Sequence, residues 1–226
     1  MGLLYQEAVK RPLLQIALDL IDLNAAIDIA IKSVKADVDI VEIGTPLVKS
    51  FGLYALREIR KIAKDKIVLA DLKTVDAMAL EFNPYANEGA NAVTILGIVE
   101  DDIIKDAVEL CKSLGVDLVV DLIYVQNPVD RAFRLASYGV NIVNLHIGVD
   151  IQRKRGLSAR QLLHEVEEIS QSDIIVSVAG GIKHADIDTF IQSGAKIIVM
   201  GSALTKSPDP YEATKKAVEI IRRRYT

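Results

Sequence analysis

The chain has 226 residues, half of them hydrophobic, and a formal net charge of −4. That length suits one large core, and a single domain over 1–226 is expected; the mild acidity excludes the strongly basic face that nucleic acid or an anionic membrane surface calls for. No apolar run approaches the ~20 residues that span a bilayer, Glu7, Lys10, Arg11 and Pro12 interrupt any leader pattern, and the lone Cys111 has no partner for an internal disulfide, so a soluble cytoplasmic protein is expected.

In chain order, apolar β-branched runs alternate with amphipathic stretches. Strands are predicted at 13–20, 39–44, 66–74, 92–97, 117–123, 142–148, 173–181 and 196–202. Helices are predicted at 25–34, 53–63, 102–114, 129–139, 159–170, 185–194 and 211–224, and a further helical pattern at 78–89 is interrupted by Pro84. Gly115, Gly139 and Gly194 stand where left-handed caps end helices. The basic turn at 222–224 suits the negative end of the last helix. Eight β-α units without a linker predict an α/β fold, a (β/α)8 TIM barrel. A doubly wound open sheet is the alternative, but no G-x-G-x-x-G follows the first strand.

A barrel of this kind places its chemistry at the C-terminal ends of its strands. Strand side chains alternate faces, so Gln15, Ala17 and Asp19 share one face, as do Ile40 and Glu42, Asp71 and Lys73, Val119 and Asp121, and Asn144 and His146. The apolar alternates are expected to pack against the outer helices, turning the polar set into the barrel. Asp19, Glu42, Asp71, Lys73, Asp121 and His146 all fall late in their strands. Ionised groups avoid burial unless paired or bound to a ligand or metal. The set therefore reads as a site, with a polar plug of Asp71, Lys73 and Asp121 as the structural alternative. Asp76, past the strand end, reads equally well as a loop cap.

VAGGI (178–182) follows the seventh strand and MGSAL (200–204) the eighth. Small residues after these strands let backbone N–H groups approach a phosphate. Ala179, Gly180, Gly181, Gly201 and Ser202 are the expected grip on a phosphorylated ligand, with Thr205 as a further donor. Lys183 and Lys206 read as ordinary surface residues.

DLKTVD (71–76), together with ALDL (17–20), EIGTPL (42–47), LHIGVD (145–150), AGGI (179–182) and MGSALTKSPDP (200–210), resembles the orotidine monophosphate decarboxylase suprafamily along nearly the whole chain. The decarboxylases that give the suprafamily its name carry lysine where this chain has Glu42. The 3-hexulose-6-phosphate synthases and 3-keto-L-gulonate-6-phosphate decarboxylases carry glutamate there and use magnesium, and AGGI with H-x-G-x-D looks more like the former. Ala77–Met78 and the basic IQRKRG (151–156) depart from that pattern and bear on loop detail and substrate preference.

The resemblance implies an aldol reaction of formaldehyde with D-ribulose 5-phosphate giving arabino-3-hexulose 6-phosphate, or its reverse, through an enediolate. The keto-gulonate phosphate decarboxylase is the alternative enzyme, and a sugar-phosphate-binding barrel without turnover the non-enzymatic one. It implies Mg²⁺ on Glu42 and Asp71, Lys73 hydrogen-bonding a substrate oxygen between Asp71 and Asp121, and Asp19 on a substrate hydroxyl. His146 is the expected proton shuttle, histidine being the side chain whose ordinary titration lies nearest neutrality. It also implies that Asp76 reaches the neighbouring subunit's site in a homodimer, and that a 6-phospho-3-hexuloisomerase is a pathway partner.

Overall fold

A computed structural model describes residues 1–223. Eight parallel strands close into one barrel in the order β1 to β8: β1 Leu13–Leu18, β2 Ile40–Ile43, β3 Ile67–Thr74, β4 Ala92–Leu96, β5 Asp117–Asp121, β6 Ile142–His146, β7 Ile175–Ala179 and β8 Ile197–Met200. The helices are α1 Leu3–Lys10, α2 Leu23–Lys35, α3 Thr45–Phe51, α4 Leu53–Ile62, α5 Met78–Asn87, α6 Asp101–Leu114, α7 Pro128–Ala136, α8 Val149–Arg155, α9 Leu163–Ile169, α10 Ile187–Gln192, α11 Ser202–Thr205 and α12 Pro210–Arg222. Arg224 of the expected basic turn lies outside the described residues.

Both faces of each strand are covered, as parallel strands require. Outward residues such as Ile16, Val41, Val68, Val93 and Val120 join the helices in one large core. Inward residues such as Leu13, Ile40, Leu69, Val119, Ile142 and Ile197 form a second cluster that fills the lower barrel. The expected alternation of faces therefore holds. Pro84 lies inside α5 without abolishing it, because Phe82 and Tyr85 anchor that helix in the core.

Several local outcomes differ from the sequence reading, which also has no helix at α3, α8 or α11. Helix α1 has no counterpart among the predicted elements; Leu4 and Ala8 sink into the inner cluster and seal the barrel floor. Its first turn is held by Asp117, whose carboxylate accepts from Gly2 N at 2.7 Å and Tyr5 N at 3.1 Å. Several strands end earlier than predicted: β1 stops at Leu18, leaving Asp19 just beyond it, and β8 stops at Met200 because Ser202 opens α11. Finally, β3 is not regular to its end. Ala70 pairs with Val93 and Thr74 with Ile95, so three β3 residues face Thr94 alone. Lys73 sits in this bulge with φ +49, a left-handed conformation that non-glycine residues seldom adopt.

Candidate active site

The upper ends of the strands enclose a cavity of about 430 Å³. Asp19, Glu42, Asp71, Lys73 and His146 all line it. Asp71 is the hub. Its Oδ2 accepts from Lys73 Nζ at 2.6 Å and from Thr45 Oγ1 at 2.7 Å, and its Oδ1 accepts from Thr94 Oγ1 at 2.8 Å. Glu42, on the neighbouring strand, accepts from Gln15 Nε2 at 2.7 Å. Lys73 Nζ also lies 3.1 Å from Asp121 Oδ2, and His146 Nδ1 lies 3.0 Å from the same atom. With Nδ1 committed to Asp121, the other ring nitrogen is left for the cavity.

Burial and charge set the protonation of this cluster. Glu42 is pushed well above the ordinary carboxylate range, first by burial and then by the facing charges of Asp71 and Asp19. Asp19 is also raised, by the enclosing walls and by Asp71, although its side chain opens to the mouth. Burial works against the Lys73 ammonium, but Asp71, Asp121 and Glu42 outweigh it and raise its pKa. Burial likewise opposes ionisation of Asp121; the hydrogen bond and charge of His146, with Lys73 and the Ile123 N–H, overcome it and bring the carboxyl down to about 2.

At the same mouth, β7 and β8 run into glycines. Gly180 has φ +120, and a Cβ there would stand 2.6 Å from the Ile147 carbonyl oxygen; only glycine fits. Gly181 has φ +70 and opens the same turn. Ala179, Gly180, Gly181, Gly201 and Ser202 all line the cavity, as do Thr205 and Lys206. Lys206, expected as plain surface, thus brings a positive charge to this end, whereas Lys183 does not line the cavity.

Two expected residues fall elsewhere. Asp121 is 1% exposed and does not line the cavity. Its oxygens are used by Lys73, His146 and Ile123 N, so in this structure it supports those groups without lining the cavity itself. Asp76 is exposed on the rim beyond β3 and is not in this cavity either. The sequence reading passed over Thr45, Thr94, Ser177 and Gln152, all of which line the cavity. Strand alternation alone would have turned Thr94 and Ser177 inward; Thr45 stood next to the EIG phrase; nothing in the sequence pointed to Gln152.

The donor set suits a hard divalent cation. Glu42 and Asp71 are two buried carboxylates on hydrogen-bonded neighbouring strands facing one cavity. Burial and the charge of Asp71 both raise Glu42, and a cation held by the two carboxylates would offset both. Among the described residues no group of three or more His, Cys, Asp or Glu side chains is arranged to hold a metal. Two carboxylates, with water and substrate filling the remaining positions, is the ligation magnesium typically takes.

Comparison with known proteins gives a consistent picture. Residues 12–217 match the model of the orotidine 5′-phosphate decarboxylase / HUMPS family. The 3-hexulose-6-phosphate synthase of Mycobacterium gastri is 38% identical over 203 residues, 90% of this chain and 96% of that protein. A crystal structure of a 3-hexulose-6-phosphate synthase superposes with a TM-score of 0.87 at 38% identity, covering 92% of this chain and 99% of that one. The 3-keto-L-gulonate-6-phosphate decarboxylase of Vibrio cholerae superposes at 0.81 with 25% identity, covering 94% and 98%.

Proposed function

The chain belongs to the orotidine 5′-phosphate decarboxylase / HUMPS family, and on that premise we propose that it is a 3-hexulose-6-phosphate synthase, an aldehyde-lyase joining formaldehyde to D-ribulose 5-phosphate. The observation that carries this reading is the 38% identity to a named synthase across 90% of the chain. The cavity supports it: one space lined by both the small-residue turns after β7 and β8 and the charged cluster suits a sugar phosphate held by its tail with its carbonyl end over Asp71, Lys73 and His146.

The ribulose 5-phosphate phosphate group takes backbone N–H groups at Gly180, Gly181, Gly201 and Ser202. His146 removes the proton from C1, next to the C2 carbonyl. Asp121 fixes the imidazole for this and steadies the positive charge it gains. Lys73 donates to the substrate oxygen on which negative charge grows, and Asp19 binds a sugar hydroxyl. Glu42 and Asp71 would hold a magnesium ion, which would supply Lewis-acid stabilisation of that charge. C1 of the enediolate then bonds to the formaldehyde carbon, and the former formaldehyde oxygen takes a proton back from His146. The reverse sequence cleaves the same bond.

Asp76 belongs, on this reading, to the site of a second copy, making the working unit a homodimer; a 6-phospho-3-hexuloisomerase is the proposed pathway partner. A cytoplasmic setting goes with it, supported by the single buried Cys111, whose thiol is pushed up to about 12 by burial and Asp117. Among the described residues no helix is long and apolar enough to cross a membrane. Incubation with ribulose 5-phosphate, formaldehyde and Mg²⁺ is expected to consume formaldehyde, and EDTA to stop it. No consumption, with release of CO₂ from 3-keto-L-gulonate 6-phosphate instead, would favour the decarboxylase.

A further inference from the structure

We propose that Thr94, on β4, is a positioning residue that holds Asp71 and Lys73 in working geometry, a role that rests on the reaction proposed above. Its hydroxyl acts as donor to one of these residues and as acceptor from the other. It donates to Asp71 Oδ1 at 2.8 Å and accepts from the Lys73 backbone N–H at 2.8 Å. Lys73 Nζ returns to Asp71 Oδ2 at 2.6 Å, so the three residues close a ring of hydrogen bonds.

The ring sits where β3 would otherwise be least defined. Between the pairs Ala70–Val93 and Thr74–Ile95, three residues face Thr94 alone, and the regular ladder is broken. Lys73 adopts φ +49 there, a conformation that persists only when its surroundings enforce it. A strand continuing regularly would bond the Lys73 N–H to backbone; here a side chain takes it. Thr94 is 4% exposed, so neither of its bonds is readily replaced by bulk water. A buried hydroxyl that donates to an acid and accepts from a lysine backbone N–H is a device for fixing their relative position, whereas a core residue at this place needs no oxygen. Valine has the same shape without the hydroxyl; serine keeps the hydroxyl.

The test compares wild type with Thr94→Val and Thr94→Ser. Steady-state kinetics use ribulose 5-phosphate and formaldehyde at saturating Mg²⁺, and NMR follows exchange of the Lys73 backbone amide. Thr94→Val is expected to lose about 100-fold in kcat, the scale of a small misplacement of a reacting group. KM for ribulose 5-phosphate should hold, because the phosphate grip lies on β7 and β8. Thr94→Ser should recover most of the loss. The Lys73 amide should be protected in wild type and in Thr94→Ser, and exchange faster in Thr94→Val. Wild-type kcat in Thr94→Val, or equal losses in both variants, overturns the proposal. So does a Lys73 amide that exchanges in wild type as fast as in an unstructured peptide. That measurement needs no substrate and no valine variant, so it can overturn the proposal even if Thr94→Val does not fold or the wild type proves inactive on this sugar phosphate.

Discussion

Glu42 and Asp121 are both buried acids, and their surroundings push them in opposite directions. Burial, and then the facing charges of Asp71 and Asp19, raise the folded-state pKa of Glu42 against the hydrogen bond from Gln15. Its contribution to stability is therefore present below the unfolded value and lost as pH rises through the folded one. Without metal, Glu42→Gln is expected to raise the Tm at neutral pH by a few degrees, about 1 kcal/mol or more for a chain of this size. The same variant should lose the further rise in Tm that Mg²⁺ gives wild type, along with turnover; differential scanning fluorimetry with Mg²⁺ or EDTA reads both. Asp121 is lowered to about 2, so its contribution is present above about 4 and lost as pH falls from there. We expect Asp121→Asn to flatten the acid limb of the stability curve, where wild type loses about 2 kcal/mol, as followed by chemical denaturation between pH 5 and pH 2.5. A wild-type acid limb in that variant would rule out an ionised Asp121 paired with Lys73 and His146.

At the scale of elements, the turn after β7 is as constrained as the β3 bulge. Gly180 combines a positive φ with a close approach to the Ile147 carbonyl. Gly180→Ala should lower stability by roughly 1–3 kcal/mol through strain and raise KM for ribulose 5-phosphate more than it lowers kcat, since the change is confined to the phosphate end; an unchanged KM would separate this turn from phosphate binding. The eight strands were legible because runs of Val, Ile and Leu, buried on both faces, contrast with amphipathic helices. The inward polar set was legible because alternation survives almost to the strand ends. Helix α1 was not, since Leu4 and Ala8 are too few to mark a helical stripe among Glu7, Lys10 and Arg11. The bulge at Lys73 was also hidden. Simple alternation turns the lysine inward for the wrong reason: its direction comes from a left-handed residue held by a threonine on another strand. Asp121 reads as a ligand contact in the sequence because a face can be inferred from spacing, but the partners that occupy its oxygens cannot.

The whole molecule has a closed floor and an open rim. Helix α1 fills the bottom, so the cavity communicates with solvent at the C-terminal ends of the strands. Asp76 is exposed on that rim, outside its own chain's cavity. If it serves a second copy, mixing Asp76→Asn with Lys73→Ala should regenerate activity. Random reassociation makes half the dimers hybrid, each with one intact site, and returns about a quarter of the wild-type rate; no activity in a mixture whose subunits have exchanged would mean that Asp76 does not complete a second copy's site. A cylinder of strands sealed on itself also has no unpaired backbone margin. Two copies cannot join by extending one another's sheet. Recognition between them falls to rim loops and outer helices, whose side chains are free to vary without disturbing the hydrogen-bonded wall that aims the reactive groups.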